Sequence, residues 1–250
     1  MVALSSAVPV LVLALWQFLC AVGVFKPYLL PAPTVIVQTI IDLAEDGALW
    51  GHISITLFRV FAGFLLGVAV AVLFGLVAGL SKTGEVLFDP MFQAFRSIPS
   101  LAWVPLFILW FQIGETSKVL LIAVGVFFPV YLNIMSGIHG VDRKLVEVGK
   151  IYGLHPIERI RRIILPAAMP AFLTGLRGGL GLGWMFVVAA EIMGSSQGLG
   201  YLLVVGQNTY SPAVVMASIV LFAVLGKVTD ALLKQIEKKT LHWQDGIQRG

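Results

Sequence analysis

The segment EVGKIYGLHPIERIRRIILP, residues 147–166, decides the fold, because it is a polar and basic stretch placed between two long apolar runs. Gly153 is expected to end a first helix there, since a left-handed C-terminal position favours glycine. A second short helix is expected from Pro156, because proline suits a first turn, and Pro166 is expected to stop it. The first helix is indicated by apolar residues at helical spacing: Val141, Leu145, Val148 and Tyr152.

The second helix is amphipathic as well. It carries Ile157, Ile160 and Ile164 on one side and Glu158, Arg159, Arg161 and Arg162 on the other. A helix-turn-helix with an apolar ridge and charged flanks suits docking into a groove of a partner protein. It suits equally an amphipathic pair resting on anionic lipid headgroups. Periodicity alone leaves both interpretations open.

The remainder of the chain has the composition of a bilayer protein. Of its 250 residues, 58% are hydrophobic and 12% are charged, whereas soluble domains carry about a quarter charged residues. The sequence therefore predicts an all-α, polytopic membrane protein with about six transmembrane helices. Runs of roughly the 20 apolar residues that a spanning helix needs occur at about 7–25, 53–80, 91–112, 119–138, 167–194 and 212–235.

The basic residues lie mainly on one side of these spans. Only Lys26 and Lys118 fall in the opposite loops. An excess of Lys and Arg in short loops marks the cytoplasmic side, so both termini are expected inside, and this distribution argues against a nucleic-acid partner. The basic residues on the cytoplasmic side are Lys82, Arg143, Lys144, Lys150, Arg159, Arg161, Arg162, Lys234, Lys238, Lys239 and Arg249.

No soluble domain fits between the spans, so residues 1–250 are expected to form one transmembrane domain. Its cytoplasmic loop covers about residues 141–166. An outer segment at about 26–52 should lie along the membrane interface, with a short helix from an N-cap at Thr34 to about Leu43.

Two spans carry small residues at every fourth position, a spacing that lets another helix backbone approach closely in lipid. We expect these stripes to pack against helices of the same chain, and a seam between two copies is the alternative. The second span contributes Gly63, Gly67, Ala71, Gly75 and Gly79, and the fifth contributes Gly175, Gly179 and Gly183.

The third span contains Pro99 and Pro105, which disfavour a continuous helix. Broken backbone at membrane depth persists only where protein or a wet cavity can satisfy it. We therefore expect this span to lie beside a cavity rather than against lipid.

The loop resembles the EAA loop of bacterial ABC importer permeases. That pattern is Glu-Ala-Ala, three residues, Gly, nine residues, Ile, one residue and Leu-Pro; the two alanines are replaced here by Val148 and Gly149. In this family the loop inserts into a cleft of the nucleotide-binding subunit, which settles the choice in favour of docking. The resemblance implies a role in ATPase coupling for Glu147, Gly149, Gly153, Ile163, Leu165 and Pro166.

The resemblance extends over nearly the whole chain, which is similar to the permeases for sulfonates, taurine and nitrate. The stretch SIPSLAWVPLFILWFQIGETSK carries the resemblance to this whole group. Within the group, NIMSGIHGVDRKLVEVGKIYGL and LGKVTDALLKQIEKKTLHW most resemble the aliphatic sulfonate permease. The resemblance implies the type I ABC importer permease fold and a location in the bacterial inner membrane. It also implies an assembly of two permeases, two ATP-binding subunits and a periplasmic solute-binding protein.

Energy for transport should come from a partner chain. No G-x-x-x-x-G-K-[ST] phosphate loop occurs, and Ser81-Lys82-Thr83 lacks the glycine framework of that motif. The chain is therefore expected to be no enzyme and to hold no cofactor. The partner ATPase subunits would bind ATP and Mg²⁺.

Charges inside the membrane are costly and are candidates for function. At about 100° per residue, Arg177, Trp184 and Glu191 share one face of the fifth span, roughly opposite its glycine stripe. We expect this face to line the translocation pathway, together with Arg96 and Trp103 beside the break in the third span. Arginine suits a sulfonate because its guanidinium is a planar fork of donors. Snorkelling to headgroups, or holding a helix pair together, is the structural alternative.

Two other classes of protein remain to be weighed. An ion-coupled secondary transporter could use Arg177 and Glu191, but it gives no reason for the loop pattern. A membrane-embedded enzyme is weaker. The four histidines, His52, His139, His155 and His242, show no metal-ligand spacing.

Overall fold

A computed structural model describes residues 2–99 and 102–241. His242 and Arg249, which entered the sequence predictions, lie outside these residues. Within them the chain is all-α. The helices are α1 (Val2–Ala21), α2 (Pro33–Glu45), α3 (Ala48–Leu80), α4 (Lys82–Arg96), α5 (Trp103–Phe111), α6 (Glu115–His139), α7 (Arg143–Ile151), α8 (Pro156–Arg159), α9 (Leu165–Ile192), α10 (Leu199–Asn208) and α11 (Pro212–Thr240).

Four of the six predicted spans are helices long and apolar enough to cross a membrane: α3, α6, α11 and a continuous helix, Pro156–Ile192, that contains α9. The first predicted span overlaps α1, which is also apolar. The third is not one helix, because α4 ends at Arg96 and α5 starts at Trp103. The break contains Pro99, as its chemistry predicts. The polytopic, all-α prediction is confirmed.

The short helix predicted from Thr34 to about Leu43 is present as α2, but Thr34 is not its N-cap. Ala32 holds that position with extended backbone angles, φ −67° and ψ 148°, and Pro33 occupies the first turn. Proline suits this place because its fixed φ is already helical and it has no N–H to satisfy. Thr34 lies inside the helix, where its backbone N–H donates to Gln17 Oε1 at 3.3 Å.

The described residues form two compact units. The first unit contains the residues up to 58 and residues 188–225; the second contains residues 59–187 and those from 226 onward. In the first unit, Leu49 of α3 packs with Leu199 and Leu202 of α10, and apolar side chains of α2 and α11 surround them. This packing holds α10 and the start of α3 against one another.

Helix α6 is the centre of the second unit, with Ile122, Val126 and Val130 fully buried. Both glycine stripes face it. A Cβ at Gly67 of α3 would lie 2.5 Å from the carbonyl oxygen of Ala123, and one at Gly179 of α9 would lie 2.9 Å from Val130 Cγ2. The predicted packing of both stripes within the chain is therefore confirmed.

Helix α4 joins the second unit through aromatic rings. Phe92 stands edge-on to Phe127 and Tyr131 of α6, with centroids 4.9 Å apart in both pairs. Tyr131 also donates a hydrogen bond from its hydroxyl to Asp89 at 3.2 Å. These contacts fix the helix that leads into the break at Pro99.

Candidate functional site

The loop predicted to be cytoplasmic forms a helical hairpin, here called the coupling hairpin, of α7, α8 and a π-helical turn at Ile160–Ile164. Asp142 is the N-cap of α7, and its side chain accepts from the N–H of Lys144 at 2.9 Å. Gly153 follows α7 with φ +71°. That angle lies in the left-handed region and confirms the prediction that glycine ends the first helix.

Pro166 does not stop the second helix, contrary to the sequence prediction. The helix continues from Pro156 to Ile192. The π turn explains this, because the N–H of Leu165 reaches back five residues to the carbonyl of Ile160. A widened turn accommodates a proline ring that would clash with a carbonyl in regular α-helix. The coupling hairpin is therefore continuous with α9.

Gly149 joins the two halves of the coupling hairpin. It is buried, and a Cβ there would lie 2.6 Å from Ile163 Cδ1 and 3.3 Å from Arg159 Cγ. The structure thus brings Gly149 and Ile163, two of the residues expected to couple to an ATPase, into direct packing. Leu165 is half-buried at the start of α9, and Pro166 is exposed.

The outer surface of the coupling hairpin is apolar. Ile151, Tyr152 and Ile157 are 84%, 80% and 69% exposed. Glu147 is also exposed, and its side chain makes no ion pair or hydrogen bond with another described residue. Exposed apolar side chains next to an unpaired charge are typical of a surface that a partner covers.

Arg59, at the start of the second unit, holds two helices together. It is 2% exposed, and its Nε and Nη2 donate to the two oxygens of Glu115 at 2.7 and 2.6 Å. Lys118 Nζ also donates to Glu115, at 3.1 Å. This bidentate pair ties α3 to the first turn of α6, which is the structural alternative considered for such arginines.

Arg177 of α9 is paired with carboxylates of α11. Its Nε and Nη2 donate to Asp230 at 3.0 and 3.4 Å, and its Nη1 donates to Glu237 at 3.2 Å. About two helical turns further along the same face, Trp184 is buried and donates from Nε1 to Thr229 at 2.9 Å. Both side chains thus make contacts between α9 and α11.

Glu191 lies in the first unit and is 1% exposed. Its oxygens accept from the Thr56 hydroxyl at 2.8 Å and from the Gly200 N–H at 2.8 Å. Thr56 in turn accepts from the N–H of Leu199 at 2.9 Å, and His52 Nδ1 accepts from the N–H of Gly198 at 3.0 Å. Together these side chains satisfy the first N–H groups of α10, which have no partner inside the helix.

Arg96 and Trp103 line one cavity of the second unit, as expected for residues flanking the break. The cavity has a volume of about 360 Å³. Its walls come from α6 and α9 as well as from the two ends of the break: Arg96, Ile98, Trp103, Val124, Gly125, Phe128, Pro129, Leu132, Asn133, Leu182 and Phe186.

The five residues predicted to line a pathway make different contacts, each within its own unit. Arg96 and Trp103 share a cavity, Arg177 and Trp184 contact α11, and Glu191 caps α10. The sequence reasoning missed their partners, chiefly Thr56, Asp230 and Thr229. A usable signal existed only for the acidic partners, because Asp230 and Glu237 are seven residues apart and so share a face of the last span.

Comparison with solved structures identifies the architecture. The chain superposes on a subunit of an amino acid ABC transporter with a TM-score of 0.65 at 19% sequence identity, covering 80% of this chain and 98% of that one. The fold is thus that of a type I ABC importer permease.

The chain belongs to the family described as binding-protein-dependent transport system inner membrane component, whose profile matches residues 63–242. It is 43% identical to the putative aliphatic sulfonates transport permease protein of Bacillus subtilis (strain 168), over 96% of this chain and 87% of that protein. It is 39% identical to the Escherichia coli (strain K12) protein of the same description, over 94% and 89%.

The chain is accordingly a membrane-embedded permease component of an ABC importer. The family is a transport component rather than an ATPase. Membership favours the importer over the ion-coupled secondary transporter, for which neither the relatives nor the fold gives support.

Proposed function

We propose that this permease imports aliphatic sulfonates and is driven by separate ATP-binding subunits that dock on the coupling hairpin. The observation that carries the docking is the exposed apolar surface of Ile151, Tyr152 and Ile157. The hairpin beneath it is braced by the Gly149–Ile163 packing and continues into α9. A displacement of that surface is therefore transmitted to a membrane helix. Glu147 and Gly153 belong to the same docking region, with Leu165 and Pro166 at its junction to α9.

The assembly proposed is two copies of this chain, two ATP-binding subunits that hold ATP and Mg²⁺, and a periplasmic solute-binding protein. Residues 1–250 act as one permease domain in the bilayer, and the outer segment 26–52 lies at the bilayer surface opposite the coupling hairpin. The cluster of basic residues in and around the coupling hairpin supports placing it, and both termini, in the cytoplasm.

The docking surface leads to a first prediction. Replacing Ile151 with aspartate puts a charge where an apolar contact would be buried, and we expect recovery of the ATP-binding subunit with the purified permease to fall at least about tenfold. Stimulated ATP hydrolysis should fall with it. Both are measured after co-expression of the two subunits.

The matched control for this experiment is Ile236→Asp. Ile236 is also an exposed isoleucine, 55% exposed, but it lies on α11 outside the coupling hairpin. It should leave copurification unchanged. Normal copurification of the Ile151→Asp permease would rule out docking at this surface.

The substrate is proposed from the two relatives whose descriptions name aliphatic sulfonates. The test is uptake of alkanesulfonates into vesicles that contain the permease, its ATP-binding subunit and its binding protein. We expect ATP-dependent accumulation of the alkanesulfonate. Accumulation of taurine or nitrate instead would replace the substrate and leave the importer class intact.

The translocation pathway is proposed to pass Arg96 and Trp103, because these two line a cavity beside a broken helix. Arg177, Trp184 and Glu191 complete the set, but their side chains are engaged within the chain. If they border the pathway, a change of conformation must first release those contacts.

A further inference from the structure

Arg96 differs in its surroundings from Arg59 and Arg177, the other two arginines of the predicted spans. Arg59 and Arg177 each donate to carboxylates. The side chain of Arg96 is exposed, lines the 360 Å³ cavity and makes no hydrogen bond or ion pair with another described residue. A cationic side chain that lines a cavity of a membrane protein is a candidate for binding an anion.

The second polar group in the cavity is Asn133. Its amide nitrogen donates to the carbonyl of Pro129 at 2.8 Å, which fixes the side chain. An amide nitrogen carries two N–H groups, so one is left for a ligand. Arg96 and Asn133 thus supply donors, which suit the acceptor oxygens of an oxyanion.

The other walls of the cavity are apolar and include the rings of Trp103, Phe128 and Phe186. Its volume falls in the range of about 300–1,000 Å³ that is usual for small-molecule sites. No Asp or Glu is among its described lining residues. The walls therefore favour a ligand with an apolar tail and offer no counter-charge to a cationic one.

Resting on the proposed function, we infer that this cavity is the permease's own substrate site and that it selects alkanesulfonates over aminosulfonates. Arg96 and Asn133 bind the sulfonate oxygens, and the three rings pack on the alkyl chain. Taurine would have to desolvate its ammonium in a cavity with no carboxylate among the described lining residues, and cation–π attraction to a ring recovers only part of that cost. Nitrate has no tail to use them.

The test compares propanesulfonate with taurine, which has the same size but ends in an ammonium instead of a methyl group. Binding of labelled propanesulfonate to the purified permease–ATPase complex is measured by equilibrium dialysis without the binding protein. We expect saturable binding of propanesulfonate, and we expect taurine to displace it at least about tenfold less well than unlabelled propanesulfonate does. The Arg96→Gln substitution should weaken propanesulfonate binding about tenfold or more. Arg96→Lys should recover part of the affinity.

The matched control is Lys82→Gln, which removes an exposed positive charge from the first residue of the same helix and should not change binding. Unaltered binding in Arg96→Gln, or equal displacement by taurine, would overturn the assignment of the cavity. Uptake by the complete importer is measured on the same preparations. If wild-type uptake of propanesulfonate is normal while the binding results go against the cavity, only this inference fails. If wild-type importer takes up no alkanesulfonate, the proposed substrate itself is wrong.

Discussion

Replacing Glu191 with alanine should lower the free energy of unfolding by roughly 3–5 kcal/mol. The substitution removes the acceptor for the Thr56 hydroxyl and the Gly200 N–H, both of them buried donors. Water cannot replace it readily, since Glu191 is almost completely enclosed. The measurement is equilibrium unfolding of the purified permease in detergent.

Glu191→Gln is the companion variant, because a glutamine keeps one acceptor oxygen of the same reach and should recover part of the loss. Gly198 gives an independent check on the same cluster. It has φ +124°, and a Cβ there would lie 2.5 Å from the Glu191 carboxyl carbon, so Gly198→Ala should also destabilise. If the Glu191→Ala protein unfolds at the same denaturant concentration as the wild type, α10 does not need this cap.

Replacing Gly67 with alanine should destabilise the protein by about 1–3 kcal/mol, because the added methyl group would press on main chain. Its Cβ would lie 2.5 Å from the carbonyl oxygen of Ala123 and 2.8 Å from Val126 Cβ. A backbone atom cannot rotate away as a side-chain end can, so α3 and α6 would have to move apart. Equilibrium unfolding in detergent measures this effect as well.

The chain offers a control of opposite sign in Gly181 of α9. A Cβ at Gly181 would meet nothing within 4 Å. Alanine there should therefore be neutral or stabilise by up to about 1 kcal/mol, through its better helix propensity. Equal effects of Gly67→Ala and Gly181→Ala would mean that helix propensity, and not close packing on α6, governs both positions.

Features encoded by short spacings could be predicted from the sequence. The two glycine stripes, the end of α7 at Gly153 and the break at Pro99 each depend on residues within a few turns of one another. Their physical cause is local, because helix geometry alone decides which side chains share a face. The coupling hairpin was predicted for the same reason.

The partners of the buried charges could not be predicted in this way. Arg59 finds Glu115 at a separation of 56 residues, and Thr56 finds Glu191 at a separation of 135. The helical face of a residue can be read from its neighbours, but the element packed against that face depends on the whole tertiary structure. The prediction that Pro166 stops a helix is wrong for another reason. The π turn before Pro166 relieves the clash by which a proline normally ends a helix.

That π turn sets the rotational phase between the coupling hairpin and the membrane helix. A π turn holds one residue more than the α turn it replaces, and one residue corresponds to about 100° around a helix. If Ile160–Ile164 had regular α geometry, the angle around the helix axis between the Ile157 side chain and the glycine stripe that begins at Gly175 would change by about 100°. A single extra residue thus lets one continuous helix present Ile157 in one direction and its glycine stripe to α6 in another.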